Sequence, residues 1–498
     1  METKRLTPGQ FVSKNSVTLL FSILCILAFY FGSVSFNMLL SEIITRLARN
    51  SFLVLALLIP ITAGLGLNFG IVIGAVAGQI GIFFALVLGA QFGIDGFPLM
   101  LLVIALSTPL AIFFGWLVGK LFNSMKGTEM IGGLIAGYFS DGLYQFLFLF
   151  AMGFLIPIPE SASQFLLPGG QGVSNMINLI GTLANVIDDV SMLAIIDVML
   201  VVTGLGFVIP LVYRLAKHKP IGDAKSILKS AIPVLVFAAL WGLSFIPAAY
   251  TFLSANRLLL SYVLEWGALI FIAYHVVRLV ISLTRGTVEV KAGARKETSV
   301  VKRIVYIVAA GLVYGSTWIG FFWEAYQRVR LPVLTFALIA GLCVAVPWFL
   351  GTKLGQDMRT VGQNRSVATS SGINVNKVRV IAMIMSTTLA CWGQLILLQN
   401  VATLNTYGQH RAVGLYSVAA LLVGGASVRH ARPRHAIIGI ILFHALIILT
   451  PSAGTAVFGS SMTGEFFREF LQFGVVAVSL ALHAWSELKN RKNPVSLR

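Results

Sequence analysis

Charge is scarce in this chain. Only 11% of its 498 residues are Asp, Glu, Lys or Arg, while 57% are hydrophobic and the mean hydropathy is +0.89. A soluble globular chain carries roughly 25% charged residues, so a largely water-facing surface is excluded. Cysteine is scarce too. Cys25, Cys343 and Cys391 all lie inside apolar runs, without the spacing of a disulfide framework or a metal site. There is no GxxxxGK[ST] phosphate loop, so any ATP-derived energy has to come from another subunit. The histidines are scattered, and His430 and His435 sit in a basic loop. No clustered His, Cys or carboxylate set supports a membrane enzyme, and no motif calls for a cofactor.

Long apolar runs are what the chain has instead. They recur from Val17 to Leu482, and a run of about 18 residues crosses roughly 30 Å of hydrocarbon as a helix. The strands of a β-barrel would be short and alternating. The expected fold is therefore all-α, a polytopic transmembrane helical bundle in a lipid bilayer, with roughly twelve to fourteen crossings. The net charge of +18 does not point to nucleic acid, because the basic residues occupy short loops where they set orientation. The N-terminus is basic like a signal peptide, but the run from Val17 is too long and no small-residue cleavage site follows. It reads as the first helix, about Val17–Leu40, with the N-terminus in the cytoplasm. A polar connector, SEIITRLARN, then leads to apolar segments at about Ser51–Ala63 and Asn68–Leu88.

Charge counting orients the rest. The loop Leu155–Asp189 holds Glu160, Asp188 and Asp189 and no Lys or Arg, and reads as external. Arg214–Lys229 has five basic residues against one acid, and Arg285–Arg303 six against two. A polar island, Thr352–Val375, interrupts the apolar pattern; together with Lys377 and Arg379 it sets five basic residues against Asp357. These three segments and the basic tail read as cytoplasmic.

Three stretches carry candidate function. In TAGLGLNFGIVIGAVAGQIG, Gly70, Gly74 and Gly78 have the spacing that lets membrane helices approach closely. Gly64, Gly66 and Asn68 read as a break between half-helices, tolerated at membrane depth where it lines a cavity or is buried in protein. Tight packing alone is the competing reading. No strand precedes these glycines, which rules against a dinucleotide fingerprint. In the second stretch, Glu129 reads as an interfacial residue beside Lys126. Asp141 lies within a crossing, where a carboxylate is costly and suggests function; Tyr144 and Gln145 would line a pathway with it. A satisfied structural acid near the outer interface is the alternative. The third stretch is the island, whose Gly355, Gly362 and Gly372 punctuate a short helix at about Ser366–Ser371. Such a helix suits docking into a groove of a soluble partner.

The island resembles the cytoplasmic coupling segment of ABC-importer permeases of the ribose and branched-chain amino acid type. Thr352, Gly355, Val361, Gly362, Asn364, Ala368, Gly372 and Ile373 carry the likeness. The broken segment resembles the family's GGIDLSVG, although Leu67, Asn68 and Phe69 replace Asp-Leu-Ser and the acid is absent. Gly424 and Gly425 match an apolar run ending in paired glycines, with Arg429, Arg432 and Arg434 in place of a second glycine-rich turn. The resemblance implies an inner-membrane permease of a bacterial ABC importer. Its Gly355, Gly362, Asn364, Ala368, Gly372 and Ile373 would dock on cytoplasmic ATPase subunits. It would pair with a second permease copy or homologue and receive solute from an extracytoplasmic binding protein. The likeness divides the chain into an N-terminal core half, 17–154, and a C-terminal core, 331–492, containing the coupling segment 352–379. Between them, 191–323 holds four expected crossings with no counterpart in shorter members, an even number that leaves the island inside. An ion-coupled secondary transporter is the alternative class. It predicts a relay of intramembrane ionisable groups, for which Asp141, Asp197, Glu265 and His275 are the few candidates.

Overall fold

A computed structural model describes residues 15–125, 127–217, 224–284, 300–428 and 430–492. The N-terminal segment before the first helix, the two basic loops at 214–229 and 285–303 and the basic tail fall wholly or partly outside these residues. So do Lys126 and Arg429. In chain order the helices begin with α1 (Ser16–Phe31), α2 (Phe36–Ala56), α3 (Leu58–Thr62), α4 (Ile71–Phe92), α5 (Gly96–Ser124) and α6 (Glu129–Phe146). A strand, β1 (Met176–Asn178), precedes α7 (Met192–Ala216), α8 (Ala224–Leu243) and α9 (Pro247–Leu253). Then come β2 (Arg257–Leu259), α10 (Leu260–Thr284), α11 (Val300–Ser316), α12 (Gly320–Arg328), β3 (Arg330–Pro332) and α13 (Val333–Phe349). The island forms α14 (Lys353–Gln363) and α15 (Arg365–Ser370), followed by α16 (Val375–Val401) and β4 (Thr403–Asn405). The chain closes with α17 (Gln409–Val423), α18 (Pro433–Phe458) and α19 (Ser461–Lys492).

The molecule is an all-α polytopic membrane bundle. Among the described residues, 8 helices are long and apolar enough to cross a membrane, or up to 10 if each of two bent pairs is one span. That is fewer than the runs of hydropathy suggest. One of the runs, Ser16–Phe31, makes a helix shorter than a full span.

The described residues divide into two compact units. One comprises residues 15–35, Glu42–Ile187 and 337–492; the other comprises Phe36–Ser41 and Asp188–Phe336. At the centre of the first, α4 is apolar all round and buried on nearly every side, as such a helix must be. Helices α5 and α16 pack along it. With no hydrophobic drive between helices in lipid, close packing has to hold them. A Cβ on Gly74 would stand 2.5 Å from the Thr387 carbonyl oxygen, and one on Gly115 of α5 2.7 Å from Ile384 Cα. Gly78 meets α16 in the same way, whereas Gly70 lies just before α4.

The polar stretch SEIITRLARN is not a connector. It belongs to α2, whose Arg46 and Glu42 pair at i,i+4 and whose Arg49 donates to the Asn400 side chain. Ala48 and Ser51 are buried in the same helix, while the Glu42–Arg46 pair stays partly exposed. The run from Leu155 to Ile187 folds as a cap over the end of the first unit opposite the island. Its strand β1 pairs antiparallel with β4, setting Ile177 opposite Leu404, and the Tyr407 hydroxyl donates to the Val173 carbonyl at 2.6 Å.

In the second unit, β2 and β3 pair antiparallel with Leu258 opposite Leu331. Asp189 accepts from Arg257 at 3.1 Å and Asn256 at 3.3 Å, and Asp188 accepts from the Thr335 hydroxyl. Helices α7 and α10 expose most of their apolar side chains, as helices facing lipid do.

Candidate functional site

The island is built by caps and glycines. The Thr352 hydroxyl accepts from Gly355 N–H at 3.3 Å and starts α14. Gly355, Met358 and Val361 are buried on one face of that helix, and Lys353 and Arg359 are exposed on the other. A Cβ on Gly355 would sit 2.3 Å from the Phe349 carbonyl oxygen, so the chain turns back on itself there only with glycine. Asn364 is extended and ends α14. Its side-chain oxygen accepts from Ser366 N–H at 2.9 Å and Val367 N–H at 3.2 Å, capping α15. Ala368 is fully buried, and Gly372 closes α15 at φ +77° with open space around it. Ile373 packs against the same apolar cluster that holds Ala368, Met358 and Val361.

The island meets the break between α3 and α4 backbone to backbone. Gly64 and Gly66 take φ of +72° and +73° there. A Cβ on Gly362 would stand 2.2 Å from the Thr62 carbonyl oxygen, and one on Gly64 2.7 Å from Gly362 Cα. Only a glycine pair allows this approach. Gly66 lies against Met130 and Val428, and Asn68 is buried, its amide 3.5 Å from the Ser386 hydroxyl.

Charge reinforces the junction. Glu129, 7% exposed, accepts from both Arg365 and Arg379 at 2.5 Å, while its other oxygen accepts from Gly127 N–H at 3.0 Å. Arg365 also donates to the Gly64 carbonyl at 3.3 Å, and the fully buried Arg379 donates to the Phe122 carbonyl at 3.0 Å. One carboxylate therefore joins the island, the helix break, the end of α5 and the start of α16. Glu129 is not a simple interfacial residue. Its two partners lie 236 and 250 residues away in sequence, which is why local reading missed the role. The surplus of basic residues in a membrane chain is the signal that an acid nearby would be claimed.

Asp141 forms a second group. Gln145 donates to its Oδ1 at 2.9 Å, His410 Nε2 lies 2.6 Å from the same oxygen, and Arg411 Nε donates to Oδ2 at 2.8 Å. His410 is fully buried, with the Tyr144 ring edge-on at 5.0 Å. The cluster ties α6 to the start of α17. Asp141 and Arg411 line a cavity of about 500 Å³ with Tyr138, Tyr416, Gln472 and Phe473, whereas Gln145 and Tyr144 do not. The carboxylate is thus both a satisfied acid and part of a concave wall. His410 and Arg411 were not singled out by the sequence; a buried acid within a span demands such partners. The structure brings Gly64, Gly355, Gly362, Asn364, Ala368 and Ile373 to one junction and sets Asp141 with Gln145 in another.

Known proteins fit these features. The family described as branched-chain amino acid transport system / permease component matches residues 187–480. The xylose transport system permease protein XylH of Haemophilus influenzae is 28% identical over 189 residues, 38% of this chain. The matched stretch spans 46% of the length of that relative. No solved structure matches the chain. With a match that runs over more than half of its residues, the chain belongs to the family of branched-chain amino acid transport system permease components.

Proposed function

We propose that this chain is the permease subunit of an ATP-driven importer, forming the solute path with a second permease copy or homologue. ATPase subunits would dock on α14 and α15 at the cytoplasmic side of a bacterial inner membrane, and a solute-binding protein would deliver solute to the opposite face. The observation that carries the reading is the direct contact of the island with the helix break, through Gly362 on Gly64 and Arg365 on Glu129. A push on a segment seated this way would move a membrane helix break, because the packed backbone contact of Gly362 on Gly64 leaves no slack. Residues Gly355, Gly362, Asn364, Ala368, Gly372 and Ile373 would shape the docking segment. Gly64, Gly66, Asn68, Asp141 and Gln145 would border the path. The helices of 191–323 would be an insertion in the sequence between the two core segments. The comparisons give no support to the ion-coupled alternative.

The test is co-purification with the partner ATPase, with solute-stimulated hydrolysis measured in proteoliposomes. Gly372→Ala with Ile373→Ser should lower both, while an exposed change away from the island, such as Ser161→Ala, should not. Undiminished association and stimulation in the double variant would sink the coupling role.

A further inference from the structure

Beside the island, within the first unit, lies a cavity of about 870 Å³. Its walls are the helix break at Leu58, Thr62 and Gly64, the end of α13, the α14 helix and the loop that enters α18. Three arginines line it, Arg359, Arg365 and Arg432, together with His430, and no Asp or Glu does. Arg365 is already held by Glu129 at the inner wall. Arg359 and Arg432 are exposed and form no ion pair among the described residues. They come from opposite walls, one from the island and one from the residue before α18. That 26-residue helix starts at Pro433, which also lines the cavity, so its positive end faces the same space.

Arginines that serve only to orient a membrane chain can project separately into water. Here Arg359 and Arg432 face one cavity from two walls, and no Asp or Glu lines it. We propose that this cavity binds a phosphate-class anion between Arg359 and Arg432. A guanidinium presents paired N–H donors that match phosphate oxygens, and a helix N-terminus adds favourable potential for the same charge. The volume exceeds that of a bare phosphate. It suits a phospholipid headgroup or a small phosphorylated solute, and lies within the usual range of ligand sites, roughly 300–1,000 Å³. Bound there, the anion would brace α14 against the loop entering α18, a link that no ion pair makes among the described residues. The site stands on this chemistry whatever solute the chain carries.

Full-length protein in nanodiscs separates the two sources of phosphate. Inorganic pyrophosphate titrated into phosphatidylcholine discs probes a soluble anion. Native mass spectrometry from discs containing phosphatidylglycerol probes retention of a headgroup. Saturable binding of at least one probe is expected. The double variant Arg359→Gln with Arg432→Gln should weaken it by about tenfold or more, with an unchanged melting temperature because both side chains are exposed. Arg359→Lys with Arg432→Lys should retain part of the binding through charge. Arg434→Gln, which is outside the lining, should retain all of it. Pyrophosphate binding would assign a soluble anion, and phosphatidylglycerol retention a lipid. Absence of both saturable pyrophosphate binding and phosphatidylglycerol retention would overturn the proposal. So would a double Gln variant that binds as well as the parent, or an Arg434→Gln variant that loses as much.

Discussion

Glu129 faces two guanidinium groups that are not equivalent. Arg379 is fully buried and cannot turn to water, whereas the Arg365 side chain is 35% exposed and can. Glu129→Gln should therefore destabilise the protein by about 3–5 kcal/mol, because it strands a buried charge. Arg365→Gln should cost about 1 kcal/mol, since solvent screens the lost pair. Thermal unfolding in detergent measures both, and equal losses would contradict the asymmetry. The glycines differ in the same way. Gly372→Ala meets no atom and should cost about 1–2 kcal/mol for its left-handed backbone alone. Gly362→Ala drives a methyl into the Thr62 carbonyl and should separate the island from the break, abolishing the proposed ATPase coupling even where the protein still folds. Gly362 and Gly372 could be picked out of the sequence because their spacing is unusual in a polar stretch. Glu129 could not, because an acid at the end of an apolar run looks the same whether it faces water or two distant arginines.

At the scale of elements, α15 depends on one side chain. Asn364→Ala removes both capping bonds and should cost about 0.5–2 kcal/mol. Faster hydrogen exchange across Ser366–Ser371 would report it, and Asn364→Asp should largely restore protection. The short helix read at about Ser366–Ser371 is present at Arg365–Ser370, but α14 before it is an addition. Its Gly355 and Gly362 argue against a helix by propensity, each by up to about 1 kcal/mol. They are there because the Phe349 and Thr62 carbonyls pass too close for any side chain. The α6–α17 contact rests on Asp141. Asp141→Ala should destabilise by about 1–3 kcal/mol, since it leaves the buried His410 without its hydrogen-bond partner and frees Arg411 into solvent. Arg411→Gln, with its side chain 54% exposed, should cost far less.

For the whole molecule, the sidedness read from charge can be checked directly. With Cys25, Cys343 and Cys391 each replaced by Ser, Arg359→Cys should react with a membrane-impermeant maleimide only from the cytoplasmic side. Ser161→Cys should react only from the other. Labelling of both from one side would refute the topology. Composition and the length of apolar runs were enough, by themselves, to determine an all-α membrane bundle and a polar island at one edge of it. Hydrocarbon admits no unsatisfied backbone and few charges, and that constraint is written directly in the sequence. Only the tertiary structure decided that the island sits on the helix break, that Glu129 holds two arginines there, and that Asp141 is shared by His410 and Arg411. It also decided that the polar stretch before residue 51 is helix. Those outcomes depend on which distant residues packing brings within hydrogen-bond reach, and neither hydropathy nor local propensity carries that information.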